Sequence, residues 1–394
     1  MSRPAIAHIR LDAFRHNYRV AKRLHAGFAL AVIKANAYGH GAVQCAKAIE
    51  NEADGYAVAC LEEALELRQA GIKNPILLLE GFFEAQELPE IVANDLWIVV
   101  HAEWQVNQLL AAKLSKPLHI WLKLDSGMHR VGLSPSEYVS AFAQLVKHQN
   151  VAKIVHMSHF ANADDLSSPH TNQQVAVFQQ TINQLSSTIL LSKSNHHSAE
   201  TSLANSAAIL GWPQTQANWS RPGILLYGAH PLAANVHNQT ELTPLNSQQI
   251  LRPVMQLSSK IISIRAINKG ESIGYGSIFT AQRDTKVGVV ACGYADGYPR
   301  LSTDGLATGE NKINEKNVGA PAAVDGKVTQ LIGRVSMDML FVDLTEISNA
   351  KIGSNVELWG DQIAANDVAK SAKTIAYELF CNVKRVQFRY SDND

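Results

Sequence analysis

Lys34 ends an apolar run, residues 28–33, that reads as a buried strand. A lysine leaving such a strand is partly stripped of water, which suits a Schiff-base amine or a general base. The same position also fits a lysine whose ammonium reaches back to solvent. Arg221 stands before Pro222, Gly223 and Ile224. The glycine can bring backbone N–H groups against an anion, and Ser206 can add a hydroxyl. Tyr38, a second tyrosine, Ser206 and Gly223 could thus close a phosphate cup of neutral donors. A salt bridge for Arg221 and a helix cap for Ser206 are the plainer alternatives. No Walker-type glycine loop is present. His156 and His159 are three apart, so a strand turns them to opposite faces. None of the fifteen histidines has the spacing of a zinc site, and no metal is expected. Lys123, Asp125 and Arg130 cluster after another apolar run. Further on, Tyr275 lies between Gly274 and Gly276, and Met337 lies in a glycine-flanked polar loop, residues 333–338. Both also fit ordinary turn chemistry.

These residues recur at the ends of short apolar runs. Over the first 230 residues, strand-like runs at 28–33, 55–59, 76–79, 97–100, 118–124, 153–158, 194–197 and 218–227 alternate with helix-period stretches at 62–70, 85–94, 104–114, 136–148 and 173–185. An amphipathic stretch at 12–25, with Asp12 as its expected N-cap, precedes them. Strand–helix alternation predicts a parallel sheet with crossover helices. About eight such units suit a closed (β/α)8 barrel, whose chemistry sits at the C-terminal ends of its strands. The segment after the first strand, residues 34–39, is no dinucleotide fingerprint. Beyond residue 245 the texture changes to short β-like runs at 254–267, 286–292, 330–335, 340–344 and 355–359, with one late helix at 365–380. The chain thus reads as α/β: a barrel over residues 1–235 and a mainly-β domain over 245–394, joined by a polar linker at 231–249. Residues 301–319 read as a long surface loop.

Composition excludes several classes. Of 394 residues, 46% are hydrophobic and 18% charged, with 35 basic and 35 acidic side chains. That is too apolar for a disordered chain, and without basic excess for nucleic-acid binding. No apolar run approaches the ~20 residues that span a bilayer. The first residues lack the apolar core of a secretory signal, and the four cysteines lie far apart, so a cytoplasmic protein with reduced thiols is expected.

Taken in order, the motifs resemble those of the alanine racemases. Residues 31–41, AVIKANAYGHG, resemble the family's cofactor-lysine signature. WLKLDSGMHR at 121–130, SHF at 158–160, ANS at 204–206, RPGI at 221–224, IGYG at 273–276, GRVSMDM at 333–339 and AYE at 376–378 follow the family's order along essentially the whole chain. The resemblance implies a homodimer with active sites shared between a barrel and the partner's β-domain, bound to pyridoxal 5'-phosphate and acting on L- and D-alanine. Lys34 would hold the cofactor covalently. Tyr38, Ser206, Gly223, Ile224 and Tyr377 would bind its phosphate. Arg221 would face the pyridine nitrogen, with His159 beside the ring. Arg130 and the N–H of Met337 would hold the substrate carboxylate, and Lys123 matches a lysine carbamylated in many members. Moving a proton from one face of Cα to the other calls for two bases, Lys34 and Tyr275 of the second copy. D-Alanine for peptidoglycan is the implied use. One departure is Ser202, where some members carry a histidine that supports the arginine. Other readings are a racemase of broader specificity, acting on serine or other amino acids; a decarboxylase of the same architecture, which would want an acid where Arg221 stands; and a non-catalytic cofactor carrier, which would lack the β-domain with Tyr275 and Met337.

Overall fold

A computed structural model describes residues 3–185, 197–232, 251–303 and 319–392. Strands β2 (Phe28–Val32), β3 (Gly55–Val58), β4 (Ile76–Leu78), β5 (Trp97–Val100), β6 (Leu118–Lys123), β7 (Val151–Met157), β8 (His197–Asn205) and β9 (Trp219–Arg221) form a closed parallel barrel. β2 pairs with both β3 and β9, which closes the ring. The central residues of these strands are buried on both faces, because crossover helices cover the outside. That double burial is why the strands read as apolar runs. Aromatic rings plug the N-terminal end: Trp219 lies 4.8 Å from Phe28, 5.7 Å from Trp97 and 5.6 Å from Trp121 between centroids. The polar residues are left to the opposite mouth.

The chain differs from expectation at several points. A strand precedes the barrel: β1 (Ile6–Arg10) lies in the second sheet, antiparallel to β10 (Met255–Ile267) and parallel to β18 (Gln387–Ser391). The first helix, Leu11–His25, follows β1 without a break, so Arg10 takes the N-cap position and makes no side-chain cap bond. Asp12 sits instead in the first turn, where its charge suits the helix dipole. β9 is only three residues long. Pro222 has no N–H to extend the ladder, and the chain turns at Gly223 into a 3-10 turn, Ile224–Tyr227. The expected strand at 194–197 lies outside the described residues except for His197, where β8 begins. Most of the expected linker (231–249) and of the loop at 301–319 also lies outside them.

The second sheet runs β15 (Lys327–Gln330), β14 (Pro321–Val324), β17 (Asn355–Trp359), β10, β1, β18, with β13 (Thr285–Val290) joining β10 to β16 (Leu340–Asp343). The expected strand at 330–335 begins earlier, as β15, and from Leu331 onward only a single bridge to Val342 remains. β11 (Ser272–Ile273) and β12 (Phe279–Thr280) form a small separate hairpin. The late helix is two, Ala365–Ser371 and Ala376–Asn382. Lys373 adopts a left-handed backbone (φ 55°), and the Thr374 N–H turns back to Ala369 O at 2.9 Å, ending the first. Buried Asn17 stitches the two units: its amide donates to Leu226 O (3.0 Å) and Arg252 O (2.8 Å) and accepts from the Arg252 N–H (2.9 Å). The four cysteines are unpaired. No helix among the described residues is long and apolar enough to cross a membrane.

Candidate active site

Lys34 leaves β2 at the barrel mouth, half-buried. The next four residues, Ala35, Asn36, Ala37 and Tyr38, all take left-handed backbone angles, with φ between 49° and 53°. None is glycine, and such a conformation costs about 1–2 kcal/mol per residue. The turn is therefore held from outside. Glu63 accepts the Ala35 N–H at 2.7 Å through one oxygen and the Ala59 N–H at 2.7 Å through the other, tying the ends of β2 and β3 together. The Asn36 carbonyl accepts from Gly41 N–H (3.0 Å), and its side chain accepts from Ala42 N–H (2.8 Å). At Gly39 a Cβ would stand 2.3 Å from Phe380 O, so the turn packs directly on the last helix. That helix brings Tyr377 within 5.5 Å of the Tyr38 ring. Sequence reasoning missed Glu63. In the segment 62–70 it reads as a helix-surface carboxylate, and nothing in its spacing marks it.

Several of the residues expected to hold a phosphate lie beside this turn. Asn205, not Ser206, caps the helix Ser206–Gly211, accepting from the Ala208 N–H at 3.0 Å. Ser206 Oγ is thereby released to accept from the N–H groups of Gly223 (2.8 Å) and Leu225 (3.3 Å). A Cβ on Gly223 would lie 2.7 Å from Tyr38 Oη, so only glycine lets the phenol and this backbone meet. Tyr38 is buried and stacks on Tyr227 at 4.8 Å. Burial raises the phenol of Tyr38 far above its ordinary value and that of Tyr377 to about 12, so both remain protonated donors. Tyr38, Ser206 and Gly223 thus meet at one point, and Ile224 and Tyr377 line the cleft beside them.

Arg221 lies alongside, 4% exposed. Its Nη2 donates to Ser158 O (2.6 Å) and Leu203 O (3.3 Å) and stands 3.4 Å from His159 Nδ1, while Nη1 donates to Ser202 Oγ. Ser202 in turn donates to Trp219 O at 3.0 Å. A serine hydroxyl therefore fills the supporting role left open by the absent histidine. Burial lowers Arg221 to about 10, and it stays cationic at neutral pH. His156 and His159 face apart as expected: His156 Nδ1 bonds the Tyr138 hydroxyl at 2.6 Å behind the barrel wall. Loss of hydration, then Arg221, Lys123, Arg130 and Lys34, pushes His159 well below the usual imidazole range.

Lys123 ends β6 with 6% exposure. Burial, reinforced by Arg221, Arg130 and Lys34, lowers its amine to about 7. Asp125 accepts the N–H groups of Gly127 and His129 at 3.0 Å each, shaping the loop that carries Arg130 to the rim. A cleft of about 1180 Å³ opens from His159, Ile224 and Tyr377 toward Trp359 and Asp361 of the second domain. Among the described residues no group of His, Cys, Asp and Glu could hold a metal.

Two expected residues are not part of this cluster. Tyr275 sits at the tip between β11 and β12 and is 71% exposed. Met337 is 53% exposed. Its carbonyl accepts from the Ala295 N–H at 3.0 Å, and neighbouring Asp338 is held by Arg3 (3.1 Å) and Arg385 (2.8 Å). Among the described residues neither Tyr275 nor Met337 has a hydrogen bond or ring contact to the barrel mouth.

Two family models match the chain: the alanine racemase N-terminal domain over residues 9–231 and the C-terminal domain over 254–390. An alanine racemase of Pseudomonas syringae is 52% identical over 99% of this chain and 100% of its own length. A catabolic alanine racemase of Pseudomonas putida is 52% identical over 98% of this chain and 99% of its own. Among solved structures, a biosynthetic alanine racemase of Pseudomonas aeruginosa superposes with a TM-score of 0.86 at 43% identity, covering 99% of both chains.

Proposed function

This chain belongs to the alanine racemase family, and from that premise we propose how its own residues interconvert L- and D-alanine with pyridoxal phosphate. The residues at the mouth fit that cofactor: a glycine cradle that a Cβ would fill, neutral donors for a phosphate, and a lysine at the strand end. When bound, the cofactor supplies an electron sink that makes the Cα proton of alanine acidic. Lys34 would hold it covalently. Tyr38, Ser206, Tyr377 and the backbone N–H groups of Gly223 and Ile224 would hold its phosphate. Arg221 would face the ring nitrogen and, as a cation that keeps its proton, leave that nitrogen unprotonated, which restrains side reactions. His159, neutral and in reach of Arg221, lies beside it.

Inversion at Cα requires a proton to leave one face and return to the other. Lys34 is assigned one face. Tyr275 of a second copy is assigned the other, in a homodimer. The exposure of Tyr275 and Met337 on one domain, apart from the cup on the other, supports this reading. Arg130 and the Met337 N–H would bind the substrate carboxylate. Lys123, lowered to about 7 and so about half uncharged at neutral pH, can add CO2 with loss of a proton, and the resulting carbamate would orient Arg130. We assign the protein to the cytoplasm. D-Alanine supply to peptidoglycan is one use. The P. putida relative's catabolic name favours a second, alanine breakdown, and growth of a deletion strain with and without D-alanine separates them.

The observation that carries the proposal is the convergence of Lys34, Tyr38, Ser206, Gly223 and Arg221 at one mouth. Lys34→Ala should lose covalent cofactor retention and racemisation. Tyr275→Phe should keep the cofactor and lose racemisation. Mixing and re-associating the two inactive variants should restore about a quarter of wild-type activity, since half of the dimers regain one intact site. No recovery on mixing would overturn the shared site. Loss of optical rotation with L-alanine, L-serine and bulkier amino acids measures substrate breadth.

A further inference from the structure

His40 takes no part in the chemistry above, yet it is fully buried beside the left-handed turn. Its Nδ1 lies 3.1 Å from Ala37 O and 2.9 Å from Tyr38 O. Carbonyl oxygens only accept, so Nδ1 carries the proton and donates to both. Nε2 is buried without a hydrogen-bond partner among the described residues, which suits an uncharged ring. Burial likewise lowers the imidazole to about 4. The ring packs against Tyr227 at 4.6 Å and meets Phe380 edge-on at 5.0 Å. Tyr227 also stacks against Tyr38, and its hydroxyl donates to Val32 O at 2.8 Å. One side chain thus contacts the turn's last two carbonyls, the tyrosine that supports Tyr38, and the helix that carries Tyr377.

We propose that His40 is a positioning residue for the cofactor: its Nδ1–H holds the left-handed turn between Lys34 and Tyr38, and so sets the spacing between the covalent anchor and the phosphate cup. This rests on the reading of Lys34 and Tyr38 given above. The turn contains no glycine, and while the Ala37 carbonyl also accepts from the His40 N–H at 3.0 Å, the Tyr38 carbonyl has no other donor among the described residues, so the Nδ1–H is the side-chain bridge that ties the end of the turn together.

Asparagine and glutamine separate this role from bulk packing. Asparagine places its amide N–H near the Nδ1 position, whereas glutamine places it farther out, near Nε2. The readout is pyridoxal phosphate affinity, from titration of cofactor-free protein followed by tryptophan fluorescence, together with melting temperature and the alanine KM. His40→Gln should bind pyridoxal phosphate about tenfold or more weakly, the loss of a buried hydrogen bond. His40→Asn should recover most of that affinity, and KM should change less than about twofold in both, since the alanine contacts are elsewhere. Equal affinities in the two variants, or affinity equal to wild type in His40→Gln, would overturn the proposal. Failure of the wild type itself to bind pyridoxal phosphate would instead sink the underlying assignment of Lys34 and Tyr38, which the variants alone do not test.

Discussion

Replacing Lys123 by methionine isolates the cost of keeping that amine inside the barrel. Lysine and methionine have similar apolar stems, so the substitution removes the nitrogen and little volume. The amine is lowered from 10.5 to about 7 by burial and by Arg221, Arg130 and Lys34. At about 1.36 kcal/mol for each tenfold change in acidity, the drop corresponds to at most ~5 kcal/mol, and relaxation of the site leaves about 2–4 kcal/mol. The direction with pH is fixed. Below about pH 7 the amine is protonated in the folded and the unfolded chain, and the full penalty is present. Between 7 and 10.5 the folded amine is neutral while the unfolded one is still charged, so the penalty shrinks as pH rises and is gone above 10.5. Lys123→Met should therefore melt about 2–5 °C above wild type near pH 6, at roughly 1.2 °C per kcal/mol for a chain of this length, and close to wild type near pH 10.5.

Carbamylation adds a second arm. A carbamate at this position would be an anion among Arg221, Arg130 and Lys34. Bicarbonate should raise the melting temperature of wild type near pH 8 and leave Lys123→Met unmoved, and an intact-mass measurement should show the added CO2. Scanning calorimetry over the pH series, taken as the difference between variant and wild type, is the assay. A difference that does not fall as pH rises from 6 toward 10.5 would refute the reasoning about the buried amine; a bicarbonate effect in both proteins would refute its assignment to Lys123.

Gly223→Ala should drive a Cβ to 2.7 Å from Tyr38 Oη. Tyr38 is backed by Tyr227 and flanked by Tyr377, so the clash should cost about 1–3 kcal/mol of stability, and pyridoxal phosphate affinity should fall about tenfold or more. Unchanged affinity and melting temperature would show that the cup is not built on this contact. Ser202→Ala should remove one acceptor from buried Arg221 at a cost of about 1.5–3 kcal/mol, with Ser202→Thr restoring it; thermal denaturation of the three proteins checks the order. Glu63→Gln keeps one acceptor oxygen of two, so the Ala35 and Ala59 N–H groups cannot both be satisfied, and the bound cofactor should dissociate faster on dialysis while the alanine KM holds.

The barrel was legible because its strands are buried on both faces, so that β2, β4 and β5 appear as unbroken apolar runs. β1 was not, because its partners lie about 250 and 380 residues away and its five residues carry no turn signal that announces a separate strand. The left-handed turn was invisible for a related reason. Ala35–Tyr38 contains no glycine, and its conformation is imposed by Glu63 and His40 rather than by local preference. The grouping of Arg221 and Gly223 was easier to read, since only Pro222 separates them in the chain. Ser202 remained open, since one hydroxyl among many small residues carries no mark of the arginine it meets.

The same contrast bears on how the site selects its ligands. Lys34, Lys123, Arg130 and Arg221 all act on His159, and three of them act on Lys123. Each cation makes the next harder to hold, and His159 and Lys123 are the ones pushed toward their neutral forms. Arg221 cannot follow them, and it is the most fully hydrogen-bonded of the set. A mouth so built favours anions with little help from the overall charge, which balances at 35 basic and 35 acidic residues. A phosphate and a carboxylate are two anions of the right kind. The field that would draw them is local, made by residues spread over β2, β6, β7 and β9 that only barrel closure brings to one face.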